Sequence, residues 1–325
     1  MLKTIWVLID DRRGSVNQAR GVTKEIDTKK FTITEKEIAY TKWAKLPNFI
    51  RGRTLIGLTS ASKKNLTAPF PDIVISISRR TVPVARYIKK LSPETKLVQL
   101  MHPGNSGLSE FSLAIVPEHD KNKRHAPNIH YIVGCPHGVT AQYLKDARKK
   151  WAEEFSDLPK PLTAVIIGGG LKGKLFPEEA VNDFTHNIMM LQKKLGGSLL
   201  ITTSRRTGKH PEKLIMDKLK NFPQYDYLWG NTNENPYAGF LACADNIIVT
   251  GDSVSMCCEC TATGKPVYIY DNDHVRWLTP KHKRFIQSLI DNKYAAPLQN
   301  AYKADFKPHK NPNVSAEVAR LIETL

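Results

Sequence analysis

Two turns of this sequence carry the same four residues, Ser78-Arg79-Arg80-Thr81 and Ser204-Arg205-Arg206-Thr207, each directly after an apolar run. Two guanidiniums and two hydroxyls beside a helix start make an anion cradle, because the orphan N–H groups and the helix dipole add to the arginine charge. One such turn reads equally well as a surface arginine pair; two, one in each half, favour phosphate binding. A glycine loop, Gly168-Gly169-Gly170 with Lys172 and Lys174 behind it, would let the backbone approach a phosphate closely. It fits neither a Walker A nor a dinucleotide fingerprint, so alone it carries little. The stretch Asn246–Glu259 reads as a strand, a turn (Gly251–Ser255) and a helix. Ser253, Ser255 and Met256 sit at the helix start, and Glu259 follows Ser255 by one turn on the same face. The hydroxyls and N–H groups could hold a diphosphate, and Glu259 could accept both hydroxyls of a ribose. A capping box would need Ser or Thr at the position of Met256.

Candidate bases lie after strands of the first half: Asp10, Asp11, His102, Glu118 and His119. Each could move a proton, and each has a structural alternative. Asp10–Gln18 also reads as a solvated turn, in which Arg12, Arg13 and Gln18 would join Ser78–Thr81 in binding an acceptor or anion. Cys257, Cys258 and Cys260 diverge on a helix without a finger-spaced His, so no metal site is expected.

Elements that would position these residues alternate along the whole chain. Expected strands are Thr4–Ile9, Phe31–Lys36, Asp72–Ile77, Lys96–Met101, Leu113–Val116 and Ile129–Ile132. Then come Leu162–Ile167, Ser198–Thr203, Tyr225–Trp229, Asn246–Thr250 and Pro266–Tyr270, with helices such as Thr140–Phe155 and Pro177–Leu195 between them. That alternation predicts an α/β fold with parallel sheets. The segment Asp157–Pro161, with two prolines, is read as a linker between a lobe of residues 1–156 and a lobe of residues 162–325. The last helix, 315–325, is expected to pack back on the first lobe. Two Rossmann-like lobes facing a cleft would bind ligand at the carboxyl ends of their strands.

The chain has 325 residues, 41% hydrophobic and 24% charged, and a formal net charge of +17. No apolar run approaches the roughly 18 residues that span a bilayer, and the start lacks the pattern of a secretory signal, so a cytoplasmic protein is expected. Five cysteines form no even, spaced framework, which points to a reducing compartment. Residues 1–155 hold 27 Lys+Arg against 14 Asp+Glu. Such a basic half suits nucleic acid, anionic lipid, an acidic substrate or plain solvated surface. Nucleic acid ranks last, because the aromatic residues, 8% of the chain, do not interleave with the cations as a stacking surface would.

Taken together, Asp10–Gln18, Asp72–Val84, Gln99–Pro103, Phe111–Asp120, Thr203–Thr207, Asn235–Tyr237, Val249–Glu259 and Gly264–Val267 resemble the mitochondrial-fission (elongated-mitochondria) family. Bacterial members of that family were labelled nucleoside-diphosphate-sugar epimerases. The chain departs from it at Asp10-Asp11-Arg12, where the family tends to have Asp-Gly-Arg. The second half is similar, more loosely, to GT-B glycosyltransferases such as the N-acetylglucosaminyl transferase of peptidoglycan synthesis, whose ribose-binding Glu falls on Glu259 and whose hydroxyl turn falls on Ser253–Ser255. The resemblance implies a GT-B-like fold and a metal-independent transferase. A nucleotide-diphosphate sugar would be its donor, no cofactor would be needed, and a cell-envelope acceptor, lipid-linked and anionic, would bind the first lobe. Peripheral attachment to the inner membrane follows from that acceptor. Two other readings are an epimerase using Asp10, Asp11 or Glu118, and a non-enzymatic adaptor like the family's plant member.

Overall fold

The computed structural model describes residues 2–104, 107–121, 126–171, 173, 175–272 and 277–325. The chain divides into two compact units, residues 1–138 with 313–325, and residues 139–312. In chain order the first unit contains β1 (Lys3–Ile9), α1 (Arg13–Thr23), β2 (Phe31–Glu37), the short helices α2 (Asn48–Arg51) and α3 (Ser60–Lys64), β3 (Ile73–Ile77), α4 (Ser78–Leu91), β4 (Lys96–Leu100), β5 (Leu113–Pro117) and β6 (Ile129–Ile132). The second contains α5 (Ala141–Trp151), β7 (Leu162–Ile166), α6 (Glu178–Leu195), β8 (Ser198–Thr202), α7 (Lys209–Leu219), β9 (Gln224–Tyr227), α8 (Tyr237–Cys243), β10 (Asn246–Thr250), α9 (Val254–Thr261), β11 (Val267–Tyr270), α10 (Pro280–Asp291) and β12 (Ala296–Pro297). The final helix α11 (Val314–Glu323) returns to the first unit.

Each unit is built on a six-stranded sheet whose strand pairings among the described residues are all parallel, in the orders β2-β1-β3-β4-β5-β6 and β12-β11-β10-β7-β8-β9. Helices cover both faces, so the strands read as continuous apolar runs rather than alternating ones. In β1, Ile5, Val7 and Ile9 pack with α1 and α11 on one face, while Trp6 and Leu8 pack with Val82, Ala85 and Ile88 of α4 on the other. In the second unit β7, β8, β10 and β11 pack on Phe184, Ile188 and Leu191 of α6 and Ile215 of α7. No helix among the described residues is long and apolar enough to cross a membrane.

The units divide at 138/139, not at the proline segment 157–161, and this corrects the expected lobe boundaries. Helix α5 belongs to the second unit because its side chains pack there. Trp151 lies so close to Gly239 in α8 that a Cβ on that glycine would come within 2.4 Å of the indole, and Phe155 packs edge-on to Tyr225 and tilted against Phe240 with ring centroids 5.1 and 5.6 Å away. Asp157–Pro161 is tied to the sheet, with Ser198 Oγ donating to the Pro159 carbonyl at 2.8 Å. Elements absent from the sequence reading are α2, α3, α10 and β12.

Candidate functional site

In each sheet the strand order reverses beside the first strand, between β1 and β3 in one unit and between β7 and β10 in the other. Connections leave in opposite directions at such a switch point, which opens a crevice at the strand carboxyl ends. Register aligns those ends. Ile166 pairs with Thr202 on one side and Val249 on the other, so the loops after β7, β8 and β10 emerge together.

The second unit uses that convergence to knit three loops. Ser204 Oγ donates to the Gly168 carbonyl, as does Thr207 Oγ1 at 2.8 Å. Gly170 N–H donates to the Arg206 carbonyl at 2.8 Å. From β10, Thr250 Oγ1 accepts the Gly168 N–H and donates to Asp252 Oδ1, both at 2.7 Å. The buried Asp252 carboxylate forms an ion pair with Arg206 at 2.8 Å. Burial pushes its pKa above the usual carboxylate range, opposed by Arg206, Thr250 and the Gly169 N–H. The glycines are therefore needed to admit protein groups: a Cβ on Gly168 would meet the Asp252 carboxylate at 2.3 Å. All three glycines are buried, which changes their reading from an open phosphate loop to the floor of the site. Lys172 and Lys174 lie outside the described residues.

The two Ser-Arg-Arg-Thr turns differ in backbone, since Ser78–Thr81 opens α4 whereas Ser204–Thr207 is a loop turn that ends before α7 starts at Lys209, but their side chains are used alike. In the first unit Arg80 pairs with the buried Asp10 at 2.8 Å and with Asp11, as Arg206 pairs with Asp252. Thr81 Oγ1 donates to the carbonyl of Ile77 at 2.7 Å, as Thr207 does to that of Gly168. The second arginine and the threonine of each turn thus serve the fold, while Arg79 and Arg205 are exposed. Ser78 adopts a left-handed φ of 71°, a conformation that costs a non-glycine residue of order 1–3 kcal/mol and collects at functional turns.

At the start of α9, Ser253 occupies the N-cap position without a side-chain cap bond, so its hydroxyl and the first-turn N–H groups are not consumed by capping. Ser253, Ser255, Met256 and Glu259 are all half-buried. Glu259 Oε2 accepts the hydroxyl of Tyr237 at 2.5 Å. Asn235 Oδ1 accepts the Tyr237 N–H at 2.9 Å, so Asn235-Pro236-Tyr237 is a device for aiming a phenol at that carboxylate. Burial raises the Glu259 pKa, and the Tyr237 hydrogen bond only partly offsets it. Tyr237 and Tyr143 titrate high through burial and the nearby Glu259 charge. In the Gly264–Val267 motif, half-buried Lys265 donates to the carbonyls of Leu241 and Ala242 at 2.6 and 2.8 Å, closing the end of α8. Burial pushes its pKa down to about 8.

In the first unit, Asp10, Asp11 and Arg12 meet Arg79 and Arg80 at the switch point. There Asp11, Arg12, Arg79 and Arg80 line a pocket of about 650 Å³ together with Tyr40, Lys42 and Lys45. Asp10 is buried and Oδ1 accepts the Arg12 N–H at 3.0 Å; Arg80 holds the Asp11 carboxyl below its usual range, which makes it a weaker base. Arg13 opens α1, and Gln18 is half-buried on the same helix. His102 follows β4 and Glu118 follows β5, roughly 10 and 15 Å across the sheet from β1 at ~4.8 Å per strand. His102 Nδ1 accepts the Gly104 N–H at 3.0 Å, which places the neutral ring's proton on Nε2. Glu118 is exposed, whereas His119 is buried.

Sequence reasoning missed Asp252, Tyr237, Tyr143, Tyr40, Lys42, Lys45 and Arg51. Asp252 and Tyr237 lie in stretches it had singled out; the others carry no local pattern.

A family model described as mitochondrial fission ELM1 matches residues 13–324. The uncharacterized protein RP120 of Rickettsia prowazekii (strain Madrid E) is 32% identical over 323 residues, covering 90% of this chain and 89% of that protein. Mitochondrial fission protein ELM1 of Arabidopsis thaliana is 31% identical over 243 residues, 68% of this chain and 56% of that protein. Among solved structures, the UDP-GlcNAc 2-epimerase of Methanocaldococcus jannaschii superimposes with a TM-score of 0.61 at 13% identity, covering 99% of this chain and 100% of that one. MurG of Acinetobacter baumannii gives 0.53 at 15% identity over the same shares. The Neisseria meningitidis UDP-GlcNAc 2-epimerase bound to UDP-GlcNAc gives 0.55 at 14%, over 97% and 94%. At such identities the likeness is one of fold, the two-Rossmann-unit, GT-B-like architecture. The match along residues 13–324, with two relatives above 30% identity, shows that the chain belongs to the mitochondrial fission ELM1 family.

Proposed function

We propose that the second unit binds a nucleoside-diphosphate sugar and that the protein transfers the sugar to an anionic acceptor of the cell envelope. The observation that carries this reading is the start of α9: an uncapped helix N-terminus at a sheet switch point, with a carboxylate one turn further on held by a tyrosine. The diphosphate would lie on the α9 N–H groups, the Ser253 and Ser255 hydroxyls and Arg205. The remaining oxygen of Glu259 would accept the ribose hydroxyls. Charge that develops on the leaving diphosphate would be stabilised by those N–H groups and Arg205, with no cofactor required. The acceptor would bind the first unit through Arg12, Arg79, Lys42 and Lys45. Peripheral attachment at the inner membrane accords with such an acceptor. The fold neighbours named for UDP-GlcNAc make that sugar nucleotide the first donor to try.

Isothermal titration against UDP-, GDP-, CMP- and dTDP-sugars is the direct test. At least one should bind in the micromolar range, and silence across the panel would remove the basis of the reading. Interconversion of a UDP-sugar without any acceptor would instead indicate an epimerase. Binding should also depend on pH. Burial raises the Glu259 pKa, so as pH falls the carboxylate protonates sooner than an ordinary glutamate and loses its grip on a diol. Affinity is expected to drop above the usual glutamate range near pH ~4.3. A flat affinity down to that pH would show that Glu259 does not hold the ligand as an anion.

A further inference from the structure

Between Ile38 and Pro71 the sequence has six basic residues, Lys42, Lys45, Arg51, Arg53, Lys63 and Lys64, and no acidic one. The same stretch holds Trp43, Phe49, Ile50 and Ile56, four of the eight large apolar side chains exposed among the described residues. Helix α2 has its polarity inverted. Asn48 and Arg51 face the protein at 8% and 0% exposure, while Phe49 and Ile50 face outward at 74% and 53%.

Specific bonds hold that inversion. Asn48 Nδ2 donates to the Arg79 carbonyl at 2.9 Å, and Arg51 donates to the carbonyls of Ile56 and Arg80 at 3.0 and 3.1 Å. Thr41 N–H donates to the Gly57 carbonyl at 2.9 Å, which brings Ile56 back beside the Lys42–Lys45 turn. Rotating Phe49 and Ile50 inward would break these bonds and expose the Arg51 guanidinium site. A protein that meets only water gains nothing from this arrangement, because it leaves apolar area wet and spends polar groups inside.

The geometry points to residues 42–56 as a docking surface for an anionic phospholipid bilayer. Phe49, Ile50, Trp43 and Ile56 would enter the interfacial region. Lys42, Lys45, Lys63, Lys64 and Arg79, all exposed, would face the headgroup phosphates. Tryptophan flanked by lysines is the composition that settles at that depth. The acidic groups nearby are already engaged: Asp11 with Arg80, and Glu110 with Arg53 and Arg86. Phe49 protrudes instead of lining a groove, which suits fluid hydrocarbon better than a preformed protein pocket. Lys42 and Lys45 also line the 650 Å³ cationic pocket, so docking would bring that pocket to the phosphate layer.

Co-sedimentation of the full chain with vesicles tests this. Vesicles containing phosphatidylglycerol should carry the protein down and pure phosphatidylcholine should not, with binding weakened by salt. Phe49→Ser with Ile50→Ser, and separately Lys42→Glu with Lys45→Glu, should each reduce partitioning by about tenfold or more, with unchanged melting temperature since all four side chains are exposed. Brominated lipid should quench wild-type fluorescence more than that of Trp43→Phe. Glu259→Gln should sediment like wild type, so failure of the donor site and failure of this surface give different results. Absence of binding to anionic vesicles, or wild-type partitioning by Phe49→Ser with Ile50→Ser, would overturn the proposal. So would self-association through Phe49 and Ile50 without vesicle binding, since the occupant would then be a second copy.

Discussion

Glu259→Gln is expected to lose nucleotide-sugar affinity by about 2–3 kcal/mol, roughly 30- to 150-fold, the value of hydrogen bonds to a charged acceptor. The substitution keeps the shape, and the amide oxygen can still accept the Tyr237 hydroxyl. The melting temperature should therefore hold while titration loses its signal. The same logic predicts a smaller effect for Tyr237→Phe, which leaves the carboxylate charged and removes only the bond at 2.5 Å that orients it. A ligand panel that binds Glu259→Gln as tightly as the wild type would place the ribose elsewhere.

Gly169→Ala should be one of the more damaging single methyl groups in the second unit. Gly169 has a φ of +131°, and a Cβ there would come within 2.3 Å of the Arg206 carbonyl oxygen and 2.5 Å of the Thr207 Cα. Both obstacles are backbone, so neither can swing aside. Left-handed strain of 1–3 kcal/mol and overpacking of similar size sum to about 2–6 kcal/mol. For a unit of this size that is a fall in melting temperature on the order of 10 °C. The spread of loops after β7 and β8 would also pull Arg206 from Asp252. Gly138→Ala, where a Cβ meets nothing within 4 Å, is the matched control and should melt like the wild type. Equal melting of all three proteins would show that the loops are not packed as described.

Much of the framework was legible because its physics is local. Strands buried on both faces need unbroken apolar runs, and Lys3–Ile9, Ile73–Ile77 and Leu162–Ile166 announce themselves that way. Helix α6 carries Glu178 and Glu179 in its first turn and ends at Gly196, whose φ is +71°. The short helices were not legible, since four or five residues contain no period. In α2 the polarity even runs backward, with asparagine and arginine inside, because distant carbonyls of Arg79 and Arg80 supply their partners.

The domain boundary failed for a related reason. Nothing in Ala141–Trp151 says which sheet it will cover; that depends on Gly239 lacking a side chain where Trp151 arrives.

Sequence alone determined that this chain is an α/β protein of two parallel sheets. It also determined which turns end at the carboxyl edges, since hydrophobic runs and the residues that break them are written in order along the chain. It singled out both Ser-Arg-Arg-Thr turns and Glu259. What each of those residues does was decided by tertiary structure. Arg80 and Arg206 meet buried carboxylates from other loops, the glycines admit Asp252 and Arg206, and Tyr237 reaches Glu259 across 22 positions. Charge and hydroxyl groups make a residue capable of binding phosphate. Only the neighbours that strand order brings within 3 Å determine whether that capacity is already used inside the protein or remains open to a ligand.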